Sequence, residues 1–463
     1  MLRQYASMQA QSTRRTFCAC LFGGLLLLGL TYEAPFSQNT AQAQNGFQPL
    51  TPVRSACPVR LGGVFTMGLG TARDSLEASA QNGTKLSPDN AKWIGDNCDV
   101  VAISPNCLEP NTYPAIRKEH PLFSPLLYVY ASCLSENPNA EGNVGGWTPT
   151  MEAHVLTDAK GKEIPYPTPG GHWMDFGSIA WAHVWRDRVL QLVSQYGADG
   201  VVAAELPINN TFLPETPGKY PNFAARAEAT LRWLQAARAK GRFFMVPEAL
   251  GFDRPAGHPT LPPPLQADAP ALKNRLWDDY FPYIDGAWVE DWVEPYWTGK
   301  PLSESEWERQ QEAAERYSLN TLFFIAAGAY HNPAELEYAL ASFLLIEHRQ
   351  GRIAFQPMPL YPGQRNDAGF SLRIMRHEVE HYSNYFNVPL GLPLQERHKV
   401  PTTGGMVWRR TFQNGAVYVN PSDTRTVTLN FGSPMRRLNN RLVRKIVLPP
   451  HSGAILLYQP PGD

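Results

Sequence analysis

Eight short apolar runs, most of them separated by longer helical stretches, constrain the fold of this chain more than any other feature. They are GGVFTMG (62–68), DVVAIS (99–104), PLLYVYA (125–131), GVVAAEL (200–206), RFFMVPEA (242–249), GAWVED (286–291), TLFFIAAG (321–328) and RIAFQPMPL (352–360). Unbroken apolar runs of this length suit strands buried on both faces, the condition of a parallel sheet covered by helices. The stretch 179–197 is amphipathic and stops at Gly197, and 223–241 also stops at a glycine. The stretch 303–317 opens with Ser303 and Glu306 at capping-box spacing, and 332–351 opens with Asn332 followed by Pro333. Eight strand–helix units predict a closed (β/α)8 TIM barrel, an α/β fold. An open doubly wound sheet is the rival, but TMGLGTARDS after the first strand lacks the G-x-G-x-x-G phosphate turn.

The texture changes near residue 400. MVWRRTF, GAVYVNPS, RTVTLNF, RLVRKIVLP and GAILLYQ are short alternating runs with turn residues between them. They predict a small C-terminal antiparallel β-sandwich domain over 400–463, behind a barrel over 44–399. Stretches 134–172 and 250–275 are rich in Pro, Gly and polar residues and read as long loops over the barrel mouth.

Residues 1–43 read as an export signal: the pair Arg14–Arg15, an apolar core Leu21–Leu30 too short to span a membrane well, and Ala41-Gln42-Ala43 as a cleavage site. The arginine pair is similar to a twin-arginine signal, with general secretion the alternative. The mature chain is then periplasmic or extracellular, with no stable membrane insertion after cleavage. Its four cysteines, Cys57, Cys98, Cys107 and Cys133, allow two disulfides in three connectivities, Cys98–Cys107 among them. A net charge of -1 and the lack of a long basic run point away from nucleic acid.

In a barrel the active site lies at the C-terminal strand ends. Acids placed there are Glu205 on the fourth strand, Glu248 on the fifth, and Glu290 with Asp291 on the sixth. Paired carboxylates are what glycoside hydrolysis needs: one protonates the leaving oxygen, the other attacks the anomeric carbon or activates water. Trp288 and Trp292 flank the sixth strand's acids, Trp297 follows them, and Trp173 sits in another loop. Flat rings of this kind stack on sugar faces. Asp199 and Asp285 precede their strands and are expected at the barrel bottom in structural roles. His377–His381 (HEVEH) matches the zinc-protease pattern H-E-x-x-H, with Glu378 as base, but no third histidine follows at the metzincin spacing. Solvated residues on one helix face are the plainer account. No metal or other cofactor is expected.

The segments WMDFGSIAWAHVWRDRVLQLVSQYGADGVVAAEL, YFPYIDGAWVEDW, LFFIAAG and FQNGAVYVNPSD resemble glycosyl hydrolase-like family 15, which is similar to glycoside hydrolase family 114 and related TIM-barrel glycosidases. The resemblance implies a barrel with acids on strands four and six acting on polysaccharide. Carried over by position, Glu290 matches the sixth-strand acid. The fourth-strand acid is implied five residues after Asp199, where this chain has Ala204. Neighbouring strand residues face opposite ways, so Glu205 substitutes only if a bulge or the strand end turns it. The leading expectation is an exported glycoside hydrolase cleaving a poly- or oligosaccharide, with Glu290 and Glu205 catalytic and with Asp291, Glu248, Trp288, Trp292, Trp297 and Trp173 binding substrate. The alternatives are a glycan-binding protein weakened by Ala204, and a zinc metalloprotease at His377–His381.

Overall fold

A computed structural model describes residues 59–66, 69, 85–166, 170–206, 217–221, 223–238, 244–247, 279–290, 292–295, 299–318, 323–347, 352–360 and 370–459. Each of the eight apolar runs forms a strand. They are β1 (Leu61–Phe65), β2 (Cys98–Ile103), β3 (Ser124–Tyr130), β6 (Gly200–Ala204), β7 (Phe244–Pro247), β8 (Gly286–Val289), β9 (Phe323–Tyr330) and β10 (Arg352–Pro359). Two short strands, β4 (Cys133–Ser135) and β5 (Gly171–Trp173), pair with each other in the excursion between β3 and β6. The eight long-range strands are all parallel, in the order β7-β6-β3-β2-β1-β10-β9-β8. The Cα traces of β7 and β8 also approach within 8 Å, which brings the sheet round into a barrel. Its interior is filled by inward residues of alternate parity: Val64, Val100, Ala102, Leu126, Tyr128, Val202, Ala204, Trp288, Ile325 and Ala354.

Helices α1 (Pro88–Asn97), α2 (Thr112–Glu119), α3 (Ile179–Tyr196), α4 (Phe223–Ala237), α5 (Glu304–Ser318), α6 (Pro333–Ile346) and α7 (Leu372–His381) connect the strands. Their ends follow the local chemistry. Ser178 caps α3 through the Trp181 N–H, and Gly197 closes it at φ 65°. The Ser303–Glu306 capping box forms, each residue accepting the other's backbone N–H. Asp199 and Asp285, which open β6 and β8, are held by Arg117 and Arg238 respectively. The repeated Asp-Gly is thus a strand-start anchor.

Strands β11 (His398–Thr402), β12 (Gly405–Phe412), β13 (Gly415–Asn420), β14 (Val427–Arg437), β15 (Leu442–Leu448) and β16 (Ser452–Tyr458) form one antiparallel sheet, ordered β11-β12-β13-β16-β14-β15. This is the expected C-terminal antiparallel β domain, built as one sheet with its own core around Tyr418, Leu429, Ile446 and Leu456. β11 is an added edge strand that begins before residue 400; its sequence, His-Lys-Val-Pro-Thr, carries no apolar alternation. The other face packs on α6, whose residues 336–346 are all buried because the barrel lies on its far side. Gly453 permits this approach, since a Cβ there would lie 2.8 Å from the Ala341 Cβ.

The Cys98–Cys107 disulfide does not form. Cys98 opens β2, while Cys107 lies beyond its far end, joined through its carbonyl to the Leu86 N–H ahead of α1. A six-residue strand separates them by roughly 16 Å, far beyond the reach of an S–S bond. Cys57 and residues 1–43 lie outside the described residues.

Candidate active site

The mouth of the barrel takes its shape from strand parity. On β8, Trp288 faces the interior while Ala287 and Val289 face the helices. Glu290 is the next position of inward parity, and it lies half-buried just past the strand end.

On β6, Val202 and Ala204 face inward, and Ala204 is fully buried. Its cross-strand neighbour is Tyr130, which also packs against this interior cluster. Strict alternation would send Glu205 outward. Its backbone instead turns into the left-handed region at φ 57°, which non-glycine residues seldom adopt. The turn is clamped from strand three: Ala131 N–H donates to the Ala204 carbonyl, and the Ser132 hydroxyl donates to the Glu205 carbonyl. The charge of Glu205 is felt by both Tyr130 and Tyr166.

Those two phenols mark a group that the sequence reading missed. Tyr130 Oη donates to Glu141 Oε1 at 3.4 Å. Gly142, at φ 64°, leaves room for the Tyr130 ring, 2.8 Å from where a Cβ would stand, and its carbonyl takes the Tyr130 N–H. Burial raises the pKa of both phenols, helped on Tyr130 by Glu141 and Glu205, so they remain protonated donors. Two carboxylates and two phenols therefore gather at the ends of strands three and four. Glu141 and Tyr166 sit in Gly- and Pro-rich stretches without periodicity, far in sequence from the strand ends they approach, so no local signal flags them.

Beneath the mouth runs an aromatic floor: Tyr130 against Tyr128, Tyr128 against Trp288, and Trp288 against Phe370, all edge-on. On the opposite side β1 and β10 part after Leu61–Phe355. The Gln356 amide bridges the gap, accepting from Val64 N–H and donating to the Val64 carbonyl.

Three tryptophans expected on the substrate are core residues instead. Trp288 is 1% exposed and lies below the mouth. Trp292 packs outside the barrel and donates its indole N–H to Ala339. Trp173, at the end of the 133–173 excursion, is buried with Phe176 just after it and Tyr220 from the segment after β6, edge-on to Tyr166. Large rings close to a strand end were attractive sugar platforms, but the same apolar area is what the helix layer and excursion bury. Glu248, Asp291 and Trp297 lie outside the described residues. Just past β5, Asp175 is also buried, accepting from Tyr220 Oη at 2.5 Å and Lys219 Nζ at 2.7 Å of the segment after β6.

The zinc-protease geometry is absent. Glu378 is buried and accepts a 2.6 Å hydrogen bond from Tyr330 Oη, so it does not serve as a base over an open metal. His377 and His381 stack on the exterior of α7, and among the described residues no third donor joins them.

A further carboxylate lies past the end of β8. Glu294 is 1% exposed, and burial, with Glu335 nearby, pushes its pKa up to about 8. Its sign is opposite to that of a salt-bridged acid. Between the ordinary glutamate value of 4.5 and about 8 the folded state holds a proton that the unfolded state has lost. Stability is therefore expected to fall as pH rises through that window, by on the order of 3 kcal/mol. Urea titrations of chelator-treated protein at pH 5 and pH 8.5 should show this slope in the wild type and lose it in Glu294→Gln; an equal slope in both would refute it.

A parallel eight-stranded β/α barrel with carboxylates at its C-terminal strand ends is compatible with a glycosidase, one of the many chemistries this fold hosts. The chain belongs to the family described as hypothetical glycosyl hydrolase family 15, whose profile matches residues 117–416. Among solved structures it is similar to an α-amylase from Geobacillus thermoleovorans in complex with acarbose (11% identity, 88% of this chain and 99% of that one, TM-score 0.45). It is also similar to the maltogenic α-amylase AmyB of Thermotoga neapolitana (12%, 87% and 99%, TM-score 0.46). A third match is the glycoside hydrolase domain of PelA from Pseudomonas aeruginosa (14%, 62% and 92%, TM-score 0.36). No curated protein sequence matches the chain.

Proposed function

We propose that this chain is an exported glycoside hydrolase that cleaves a poly- or oligosaccharide, with Glu290 as general acid/base and Glu205 as its carboxylate partner. The observation that carries the reading is the left-handed backbone of Glu205. It takes the residue out of strand alternation and so answers the loss of the acid at Ala204. A glycosidic oxygen leaves as an alcohol only if it receives a proton, and the anomeric carbon must be met by a carboxylate or by water that a carboxylate deprotonates. Glu290 has the inward parity for the first task, and Glu205 borders the mouth for the second. The negative charge of Glu205 lies close enough to be felt by the buried phenols of Tyr130 and Tyr166, whose protons are engaged with Glu141 and Cys133 respectively. The anomer released reports the carboxyl spacing: about 5–5.5 Å gives retention and about 6.5–9.5 Å inversion.

Export is supported by Arg14–Arg15, the apolar core Leu21–Leu30 and Ala41–Ala43, and the mature protein then works in the periplasm or outside the cell. A second reading, glycan binding without cleavage, is favoured by one observation: the inward position on strand four holds Ala204, with Tyr130 beside it. Reducing-end release from a panel of polysaccharides, by wild type and Glu205→Gln, decides between them. Hydrolysis reduced by at least about 10²-fold in the variant, with glycan retention unchanged, supports the enzyme. Glycan retention by the wild type without any release supports the binding protein.

A further inference from the structure

Past the end of β8, three metal-ligating side chains converge outside the carboxylates discussed above: Glu294 in the loop after strand six, His331 after strand seven, and Glu335 in the first turn of α6. Their donor atoms all lie within 4.8 Å of one another. His331 Nδ1 is 3.3 Å from Glu294 Oε1 and 2.9 Å from Glu335 Oε2. Donors that share an ion at 2.0–2.2 Å stand about 3.3 Å apart at tetrahedral angles, so the spacing suits a common cation.

The hydrogen bonds within this cluster leave one oxygen without a donor. A single Nδ1–H serves one acceptor, and its bond goes to Glu335. Glu294 Oε1 is buried and receives no hydrogen bond from any described residue. A buried carboxyl oxygen with no hydrogen-bond donor beside an imidazole nitrogen is met in the metal-free protein by its own proton, which a bound cation would displace. The surroundings already orient the other two ligands. Glu335 Oε2 accepts the His331 backbone N–H at 2.6 Å, and its Oε1 accepts from Asn332 Nδ2 at 2.7 Å. Gly299, at φ 58°, lies so close to the imidazole that a Cβ would stand 3.2 Å from His331 Cε1. The His331 side chain is 42% exposed, which leaves a path for an ion and for water ligands.

We propose that Glu294, His331 and Glu335 form a site for a first-row divalent cation of the zinc type, tying the loop after strand six to the start of α6. One imidazole nitrogen with two carboxylates suits zinc better than calcium or magnesium, which favour all-oxygen shells. The site is independent of the glycosidase reading, although the loop it fastens begins beside Glu290.

The test uses the full chain after chelator treatment, titrated with ZnCl2 and separately with CaCl2 by calorimetry, with thermal unfolding in parallel. One equivalent of Zn²⁺ is expected to bind and to raise the melting temperature. Glu294→Gln, His331→Asn and Glu335→Gln should each weaken binding at least about tenfold and lose the thermal shift. The double variant His377→Ala/His381→Ala should behave as wild type, which separates this site from the HEVEH pair. The proposal is overturned if no Zn²⁺ binds, if only Ca²⁺ binds, if the double variant abolishes binding, or if His331→Asn binds as wild type. His331→Asn alters a partly exposed side chain, so it decides the matter even where Glu294→Gln does not fold.

Discussion

Replacing Glu290 with glutamine is expected to lower cleavage of a glycoside with an unactivated alcohol leaving group by about 10²–10⁴-fold, the range for removal of a positioned general acid. The same variant should cleave a dinitrophenyl glycoside almost as well as wild type in the step that breaks the bond, because that leaving group departs without a proton. The contrast follows from the role. Glutamine keeps the shape and hydrogen-bonding reach of glutamate but cannot give up a proton. Position supports the assignment: Trp288 fixes the inward parity of β8, and Glu290 is the next inward residue, at the strand end. Steady-state rates on matched aryl and alkyl glycosides check it. Equal losses on both leaving groups would instead place Glu290 in substrate binding.

Replacing Arg410 with methionine is expected to destabilise the fold by about 3 kcal/mol or more, the scale for breaking a buried, hydrogen-bonded charge. Arg410 is 2% exposed on β12. Its Nη1 donates to the carbonyls of Leu344, Leu345 and Glu347 at the end of α6, and its Nε donates to the Gln395 carbonyl. Those helix-terminal carbonyls have no intrahelical partners, so the guanidinium acts as a C-terminal cap supplied by the antiparallel sheet. Burial lowers the pKa of Arg410, with the Glu347 charge opposing the shift, so the cation is held by these acceptors. Methionine fills a similar volume but satisfies none of them. Urea denaturation should show the loss, and an unchanged midpoint would mean that water replaces the cap at no cost.

The barrel was readable from the chain because each of its strands is a continuous apolar run, and the period-two pattern of the C-terminal strands was equally plain. β11 was not, since an exposed edge strand has no apolar face to show. The β4–β5 excursion was missed for a related reason. Its core of Trp173, Phe176 and Tyr220 is drawn from separate loop segments, so no local period announces it. At the site, parity predicted the setting of Glu290, because a regular strand carries its alternation to its last residue. It also identified the problem at Ala204. It could not foresee the left-handed turn at Glu205, which depends on Ser132 and Ala131, more than seventy residues away in sequence. The tryptophans misled because area near a strand end serves core and substrate alike, and only packing distinguishes the two. Glu294 was passed over although it lies four residues after Glu290; its isolation became visible only with His331 and Glu335 placed around it.

The central claim is that Glu205 and Glu290 act on one glycosidic bond even though the strand-four acid has moved by one residue. A double-mutant cycle on kcat/KM tests it most directly, with Glu205→Gln, Glu290→Gln and the pair measured on the same unactivated substrate. Two residues serving one chemical step are strongly non-additive, so the double variant should be little slower than the slower single variant. Wild-type activity in Glu205→Gln, or losses that simply multiply in the pair, would contradict the claim and leave Glu290 working with a different partner.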